Sequence, residues 1–290
     1  MSVYFQQDIE GCLVTRIGKT GLDKAELQKL TQATAPALGK LRQAHDNGTL
    51  PLLRLPAATA DLEAVEAVAE RMTESFDDVV VLGTGGSSLG GRTLCALGLS
   101  PAESRPRLHF LDNVDGDTFD RLFRAVNPMR TGFIVISKSG STAETLSQLF
   151  HCMDAFRGKI GAEGLAKAFV AITEFTDNPL RRVAERWGME ILPHDPGIGG
   201  RYSALSLVGL LPAMIAGLDA AAVRTGARTV LATVLNGGAP DTVPAAIGAA
   251  LNVGLARQGI GTTVLMPYVD RLADFGLWFR QLWAESLGKD

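Results

Sequence analysis

The sequence predicts an α/β fold: a doubly wound, five-stranded parallel sheet flanked by helices, followed by the start of an incomplete second α/β unit. Three observations carry that expectation. Short apolar runs recur at Val79–Leu82, Leu108–Leu111, Phe133–Ile136, Phe169–Ile172 and Glu190–Leu192. Each gap between them holds a helical pattern or a helix signal, and strands that alternate with helices form a parallel sheet covered on both faces. Loops rich in glycine and hydroxyl residues follow the first and third runs, at the carboxyl ends of strands where ligands of such sheets collect.

Taken in order, Asp23 to His45 has a helix-forming composition, is kinked or split at Pro36 and stops at Asn47-Gly48. Thr59 is placed to cap a helix whose stripe Leu62, Val65, Val68 and Met72 leads into the first strand. Phe119, Leu122, Phe123 and Val126 mark a helix before the third strand, and Leu146, Leu149, Phe150 and Met153 one after it. Pro179 to Trp187 opens on a proline and closes before Gly188, as a short helix should. Leu205 to Leu218 is apolar but contains Ser206 and Pro212, and it falls short of the roughly 18 residues a membrane span needs, so a buried helix is expected.

Asp219 to Asn236 and Pro244 to Gln258 read as helices on either side of a break at Gly237-Gly238-Ala239-Pro240. Thr262 to Met266 reads as a strand, and Leu272 to Ala284 as a helix carrying Phe275, Trp278, Phe279, Leu282 and Trp283. The expected organisation is a helical segment at 1–50, a first sheet domain at 51–217, and linker helices with the opening of a second unit at 218–290.

Composition narrows the function classes. At 290 residues and a net charge of −3, the chain carries no basic field for nucleic acid or an anionic membrane, so small molecules are the expected partners. Cys12, Cys95 and Cys152 lie far apart, without C-x-x-C or Cys/His spacing, which argues against disulfides and a zinc site and for a reducing cytoplasm. No metal is expected. Residues 1–8 lack the basic start and apolar core of a secretory signal.

The third strand runs into Ser137-Lys138-Ser139-Gly140-Ser141-Thr142-Ala143-Glu144-Thr145, which crowds four hydroxyls and a lysine ahead of a helix. A helix start offers unpaired N–H groups and the positive end of a dipole, so this composition describes a phosphate pocket. A simple capped first turn needs only one such hydroxyl. A Ser137–Lys138 acyl-transfer dyad is the sharper alternative, opposed by the opposite directions of adjacent strand-end side chains.

Gly83-Thr84-Gly85-Gly86-Ser87-Ser88-Leu89-Gly90-Gly91 follows the first strand and permits a tight turn with amides facing a ligand. It is neither the dinucleotide fingerprint nor a P-loop, although a nucleotide reading could use Asp112 to hold a ribose. In Gly199-Gly200-Arg201-Tyr202-Ser203-Ala204-Leu205-Ser206 the arginine precedes an apolar helix, where it meets either an anionic ligand or a structural carboxylate. Glu285, at the end of the aromatic helix, reads either as a solvated helix-end carboxylate or as a general base.

These two loops, the Gly199–Leu210 stretch and the stretch from Leu265-Met266-Pro267-Tyr268 to Glu285-Ser286-Leu287-Gly288-Lys289 resemble, in the same order, the glucose-6-phosphate isomerase family, and the first part resembles a SIS-type phosphosugar domain. The resemblance implies roles residue by residue. Ser137, Lys138, Ser139 and Thr142 match the positions that hold the sugar phosphate, and Gly86 and Ser87 match the loop lining the sugar. Arg201 matches the arginine that stabilises an enediolate, and Glu285 the base that moves a proton between C1 and C2.

The same resemblance implies a cytoplasmic, homodimeric aldose–ketose isomerase of glycolysis and gluconeogenesis. It would interconvert glucose 6-phosphate and fructose 6-phosphate without a cofactor. Two other classes stay open: a non-catalytic phosphosugar-binding module and a nucleotide-binding oxidoreductase. Two departures stand out. Where the family reads Ser-Lys-Thr-Phe-Thr-Thr, this chain reads Ser-Lys-Ser-Gly-Ser-Thr and keeps the hydroxyls. The family's ring-opening histidine and late lysine have no matching motif, since His45, His109, His151 and His194 fall in none, and the chain is expected to match the amino-terminal two-thirds of the family's length.

Overall fold

The computed structural model describes residues 5–98 and 106–288. Residues 1–4 of the amino-terminal stretch and Lys289 of the last motif lie outside the described residues. In chain order the α-helices are α1 (Val14–Ile17), α2 (Lys24–Gln32), α3 (Ala35–Asp46), α4 (Leu62–Ser75), α5 (Gly86–Leu97), α6 (Gly116–Ala125), α7 (Ala143–Ala168), α8 (Pro179–Trp187), α9 (Leu207–Ile215), α10 (Ala220–Leu235), α11 (Pro244–Arg257) and α12 (Ala273–Leu287). The strands are β1 (Asp78–Leu82), β2 (Arg107–Leu111), β3 (Thr131–Ile136), β4 (Phe169–Thr173) and β5 (Glu190–Pro193).

The chain divides into two compact units, residues 1–57 with 224–266 and residues 58–223 with 267–290. The first is helical. Leu22, Leu27 and Leu30 pack with Ala250 and Leu251 in one small core, and Leu38 packs with Val234, Val243 and Ala246 in another. Asp23 opens α2 by accepting from the amides of Ala25 and Glu26. Pro36 splits α2 from α3 and sits in the first turn of α3, where its missing N–H costs nothing.

The second unit holds the sheet, with strand order β2-β1-β3-β4-β5 and every pair parallel. All five expected strands are present. β1, β3 and β4 are buried from end to end, which is why they read as continuous apolar runs. At the centre Phe133 of β3 stacks on Phe169 of β4, with ring centroids 4.3 Å apart. Each fully buried side chain of that size contributes about 1.5–3 kcal/mol of transfer free energy.

Strand order fixes the layers. The β1-to-β2 crossover runs one way along the sheet, whereas the connections from β2 to β3, β3 to β4 and β4 to β5 run the other. Right-handed crossovers therefore place α5 on one face and α6, α7 and α8 on the opposite face. The contacts agree: α5 packs with α9 and α12, and α9 with α4. Opposite them, Phe123 of α6 meets Phe156 of α7, and α7 packs with α8. The expected buried helix is α9, opened by the Ser206 hydroxyl accepting from the Val208 amide. Among the described residues no helix is long and apolar enough to cross a membrane.

Two expectations are corrected. Thr59 does not cap α4: Asp61 occupies that position without a side-chain cap, and Thr59 contributes only its carbonyl, which accepts from the Leu62 amide. Thr262–Met266 does not form a strand but is irregular and exposed. A strand needs a neighbour to satisfy its backbone groups, and no described strand lies beside these residues.

Candidate functional site

Leaving β1 and β3 in opposite directions, the chain opens a crevice at their carboxyl ends, the switch point at which sheets of this order hold ligands. A cleft of about 310 Å³ lies there. Its first wall is Thr84, Gly86 and Ser87, between β1 and α5. A Cβ on Gly86 would fall on the backbone of Gly200 and Arg201, so only glycine lets α5 approach that loop.

The second wall follows β3. Ser137 is buried and shares a 2.9 Å hydrogen bond with the Thr142 hydroxyl. Thr142 precedes α7 but does not cap it with its side chain. Its hydroxyl is turned to Ser137, so the first-turn amides of α7 receive no side-chain cap from it. Gly140 has φ +63°, and a Cβ there would collide with Asn178, whose side-chain amide oxygen accepts from Arg181 N to cap α8. Gly140 is thus fixed as glycine by its neighbour.

Lys138 does not pair with Ser137. Its ammonium donates to the Pro196 carbonyl at 2.7 Å and lies 3.6 Å from the Glu174 carboxylate. Behind it, burial and the nearby Lys138 hold His194 below the ordinary imidazole range, opposed by a hydrogen bond with the Asp195 carbonyl.

The third wall joins two distant segments. Arg201 Nη1 lies 3.5 Å from Glu285 Oε2, and Arg201 Nε donates to Ser286 Oγ at 3.2 Å. Trp278 Nε1 donates to the Arg201 carbonyl at 3.0 Å, and the guanidinium lies over the Tyr202 ring. Tyr202 shares a 2.8 Å hydrogen bond with Ser286, which holds its hydroxyl below the ordinary phenol range against the opposing effect of burial. Gln281 Nε2 donates to Glu285 Oε1 at 2.9 Å. The Glu285 side chain is 47% exposed, so it stands at the mouth of the cleft and not inside an apolar wall.

Of the sequence-predicted residues, Gly86, Ser87, Lys138, Ser139, Thr142, Arg201 and Glu285 line one cleft, while Ser137 lies behind it against Thr142. Thr84, Glu174, Gly200 and Gln281 line it as well and were not singled out. Gln281 had a signal, because it stands four residues before Glu285 on the same helix face. Glu174 had a weaker one, at the carboxyl end of the fourth strand. Asp112 lies 3.9 Å from Arg92 and outside the cleft. A larger hollow of about 730 Å³ between α4 and the start of α10 lies away from the strand ends, and among the described residues no Lys or Arg lines it.

The fold and the cleft define the class: a doubly wound α/β protein whose cleft sits at the switch point of its sheet. A family model described as phosphoglucose isomerase matches residues 62–290, and the chain belongs to the phosphoglucose isomerase family. It is 37% identical over 278 residues to a glucose-6-phosphate isomerase of Rubrobacter xylanophilus, covering 93% of this chain and 63% of that protein. A glucose-6-phosphate isomerase of Thermus thermophilus is 39% identical over 235 residues, covering 81% of this chain and 54% of the relative.

Among solved structures, a hypothetical protein from Thermus thermophilus superposes with a TM-score of 0.81 at 32% identity, over 92% of this chain and 63% of the other. A glucose-6-phosphate isomerase from Chlamydia trachomatis shares the fold, with a TM-score of 0.73 at 22% identity, over 97% of this chain and 63% of the other. The chain therefore spans less than two thirds of the length of these relatives.

Proposed function

We propose that the chain carries the phosphate cup and the proton-transfer pair of an aldose–ketose isomerase acting on glucose 6-phosphate and fructose 6-phosphate. One observation carries the reading: Arg201 and Glu285 meet at 3.5 Å in the cleft that holds Lys138, Ser139 and Thr142. The chain's similarity to glucose-6-phosphate isomerases of Rubrobacter xylanophilus and Thermus thermophilus supports it.

The sugar phosphate binds at the start of α7, held by Ser139, Thr142, the first-turn amides and Lys138, with Ser137 orienting Thr142. Anchoring this remote group brings the open-chain carbons to the carboxylate. Glu285 removes the proton from C2 of the aldose, and the electron pair moves onto the carbonyl oxygen at C1. Arg201 stabilises the enediolate oxygen, and Glu285 returns the proton to C1 as the C2 hydroxyl proton passes to the C1 oxygen and C2 becomes the carbonyl. Gln281 fixes the second carboxylate oxygen while the first acts. No redox partner enters, since one carbon is reduced as its neighbour is oxidised.

The phosphosugar domain is residues 51–217 with Glu285 brought in from the 218–290 segment. The working protein is a cytoplasmic homodimer of glycolysis and gluconeogenesis. A coupled isomerase assay tests the reading: Glu285→Gln should lower kcat at least ~1000-fold while inorganic phosphate binds as before. A folded chain that neither binds nor turns over either hexose phosphate overturns it. A non-catalytic phosphosugar-binding module is the second reading, favoured by the exposure of Glu285. Calorimetric binding of fructose 6-phosphate without turnover would select it.

A further inference from the structure

Among the described residues four charged side chains line the cleft, and they cancel: Lys138 faces Glu174 at 3.6 Å and Arg201 faces Glu285 at 3.5 Å. A carboxylate on the wall of an anion cup works against binding, so Glu174 calls for an account of its own. It is held in place by the backbone, because its amide donates to the Lys138 carbonyl at 3.1 Å and Thr173 Oγ1 donates to the same oxygen at 3.3 Å. The pair is largely sheltered, with side chains 31% and 21% exposed. An ammonium has three donors; the Pro196 carbonyl takes one, and Glu174 stands 3.6 Å away as an ion-pair partner, so a ligand's phosphate meets the ammonium against a neighbouring negative charge.

We infer that Glu174 is the counter-charge of the phosphate cup: it pairs with Lys138 and competes with the ligand's phosphate for the ammonium. Tight anion binding is thereby held down, and release of the phosphorylated product is eased. Uniformly tight binding of substrate and product raises no kcat, so a cup that grips less firmly serves turnover better. The inference rests on the reading of this loop as a phosphate site.

The test is calorimetric titration of inorganic phosphate into the wild-type chain and into Glu174→Gln, Glu174→Asp, Lys138→Met and the Lys138→Met/Glu174→Gln double variant, with circular dichroism confirming the fold. Glu174→Gln should bind phosphate about fivefold more tightly, the scale of one partly screened ion pair. Glu174→Asp should restore the wild-type value, and the gain should vanish in the Lys138→Met background. In the coupled assay, Glu174→Gln should lower KM and also lower kcat, a split that loss of structure does not produce. Phosphate affinity unchanged or weakened in a folded Glu174→Gln overturns the counter-charge role while leaving the cup. No phosphate binding by the wild-type chain overturns both.

Discussion

Arg201 and Glu285 stand 84 residues apart in the chain and 3.5 Å apart in the fold. The contact is assembled by neighbours: Trp278 holds the Arg201 carbonyl, Ser286 holds its Nε, and Gln281 holds Glu285. An arginine so oriented can stabilise a developing oxyanion without reorganising, the arrangement that lowers a barrier most effectively.

Replacing that arginine should therefore separate binding from chemistry. Arg201→Ala is expected to lower kcat by ~100–1000-fold, the scale of one lost oxyanion donor, with little change in phosphate affinity. Arg201→Lys should recover little, because an ammonium cannot reach Ser286 and Glu285 together as the planar fork does. Steady-state kinetics beside phosphate calorimetry checks this, and a variant that loses both in proportion would place Arg201 in phosphate binding instead.

The close approach of α5 to the Gly200–Arg201 backbone makes Gly86 intolerant of any side chain. Gly86→Val should destabilise the chain by ~1–3 kcal/mol, the usual cost of overpacking. Gly200→Ala meets no atom within 4 Å and should be tolerated. Urea denaturation of the two variants gives the comparison.

Thr142→Val removes the side-chain partner of the buried Ser137 hydroxyl. A stability loss of about 1–3 kcal/mol is expected, the cost of an orphaned buried polar group. Phosphate should bind more weakly in the same variant. Stability loss without a change in phosphate affinity would leave Thr142 with a purely structural part.

His194 is buried and its pKa is held below the ordinary 6.5, first by burial and then by Lys138. A base whose pKa is lower when folded than unfolded binds fewer protons in the native state as acid is added. Its contribution is complete above the unfolded pKa and is lost as the pH falls through 6.5 toward the folded value. His194→Gln should therefore lose less stability than the wild type between neutral and mildly acidic pH, as measured by urea midpoints on either side of that window. Equal losses in both proteins would assign the acid sensitivity elsewhere.

Burial pushes the Cys95 thiol up to about 12 and the Cys152 thiol up as well. The thiolate is the reactive form, so near pH 8 both cysteines should label with iodoacetamide at least ~100-fold more slowly in the folded chain than in guanidinium chloride. Mass-spectrometric mapping over time reads the two sites separately.

The segments legible in advance are those whose signal is local. The three central strands announced themselves as apolar runs because both of their faces are covered, and Pro179 and Gly188 bounded α8 at the expected residues. Thr59 misled because a hydroxyl near a helix start says nothing about which of several residues adopts the cap geometry. Thr262–Met266 misled because a strand-like composition becomes a strand only beside a partner. Glu174 had only its place at the carboxyl end of the fourth strand as a signal, since its importance comes from Lys138, which reaches it across neighbouring strands.

Sequence by itself determined the alternation of strand and helix, and with it the parallel sheet, the glycine turn after β1 and the hydroxyl-rich turn after β3. Those features follow from residues a few positions apart, whose burial and backbone preferences act over one element. Only the tertiary structure decided that Arg201 meets Glu285, that Lys138 is shared between Pro196 and Glu174, and that Ser137 stands behind the cleft instead of lining it. These depend on strand order and on which helix faces touch, quantities set by packing of the whole unit and carried by no single stretch of chain.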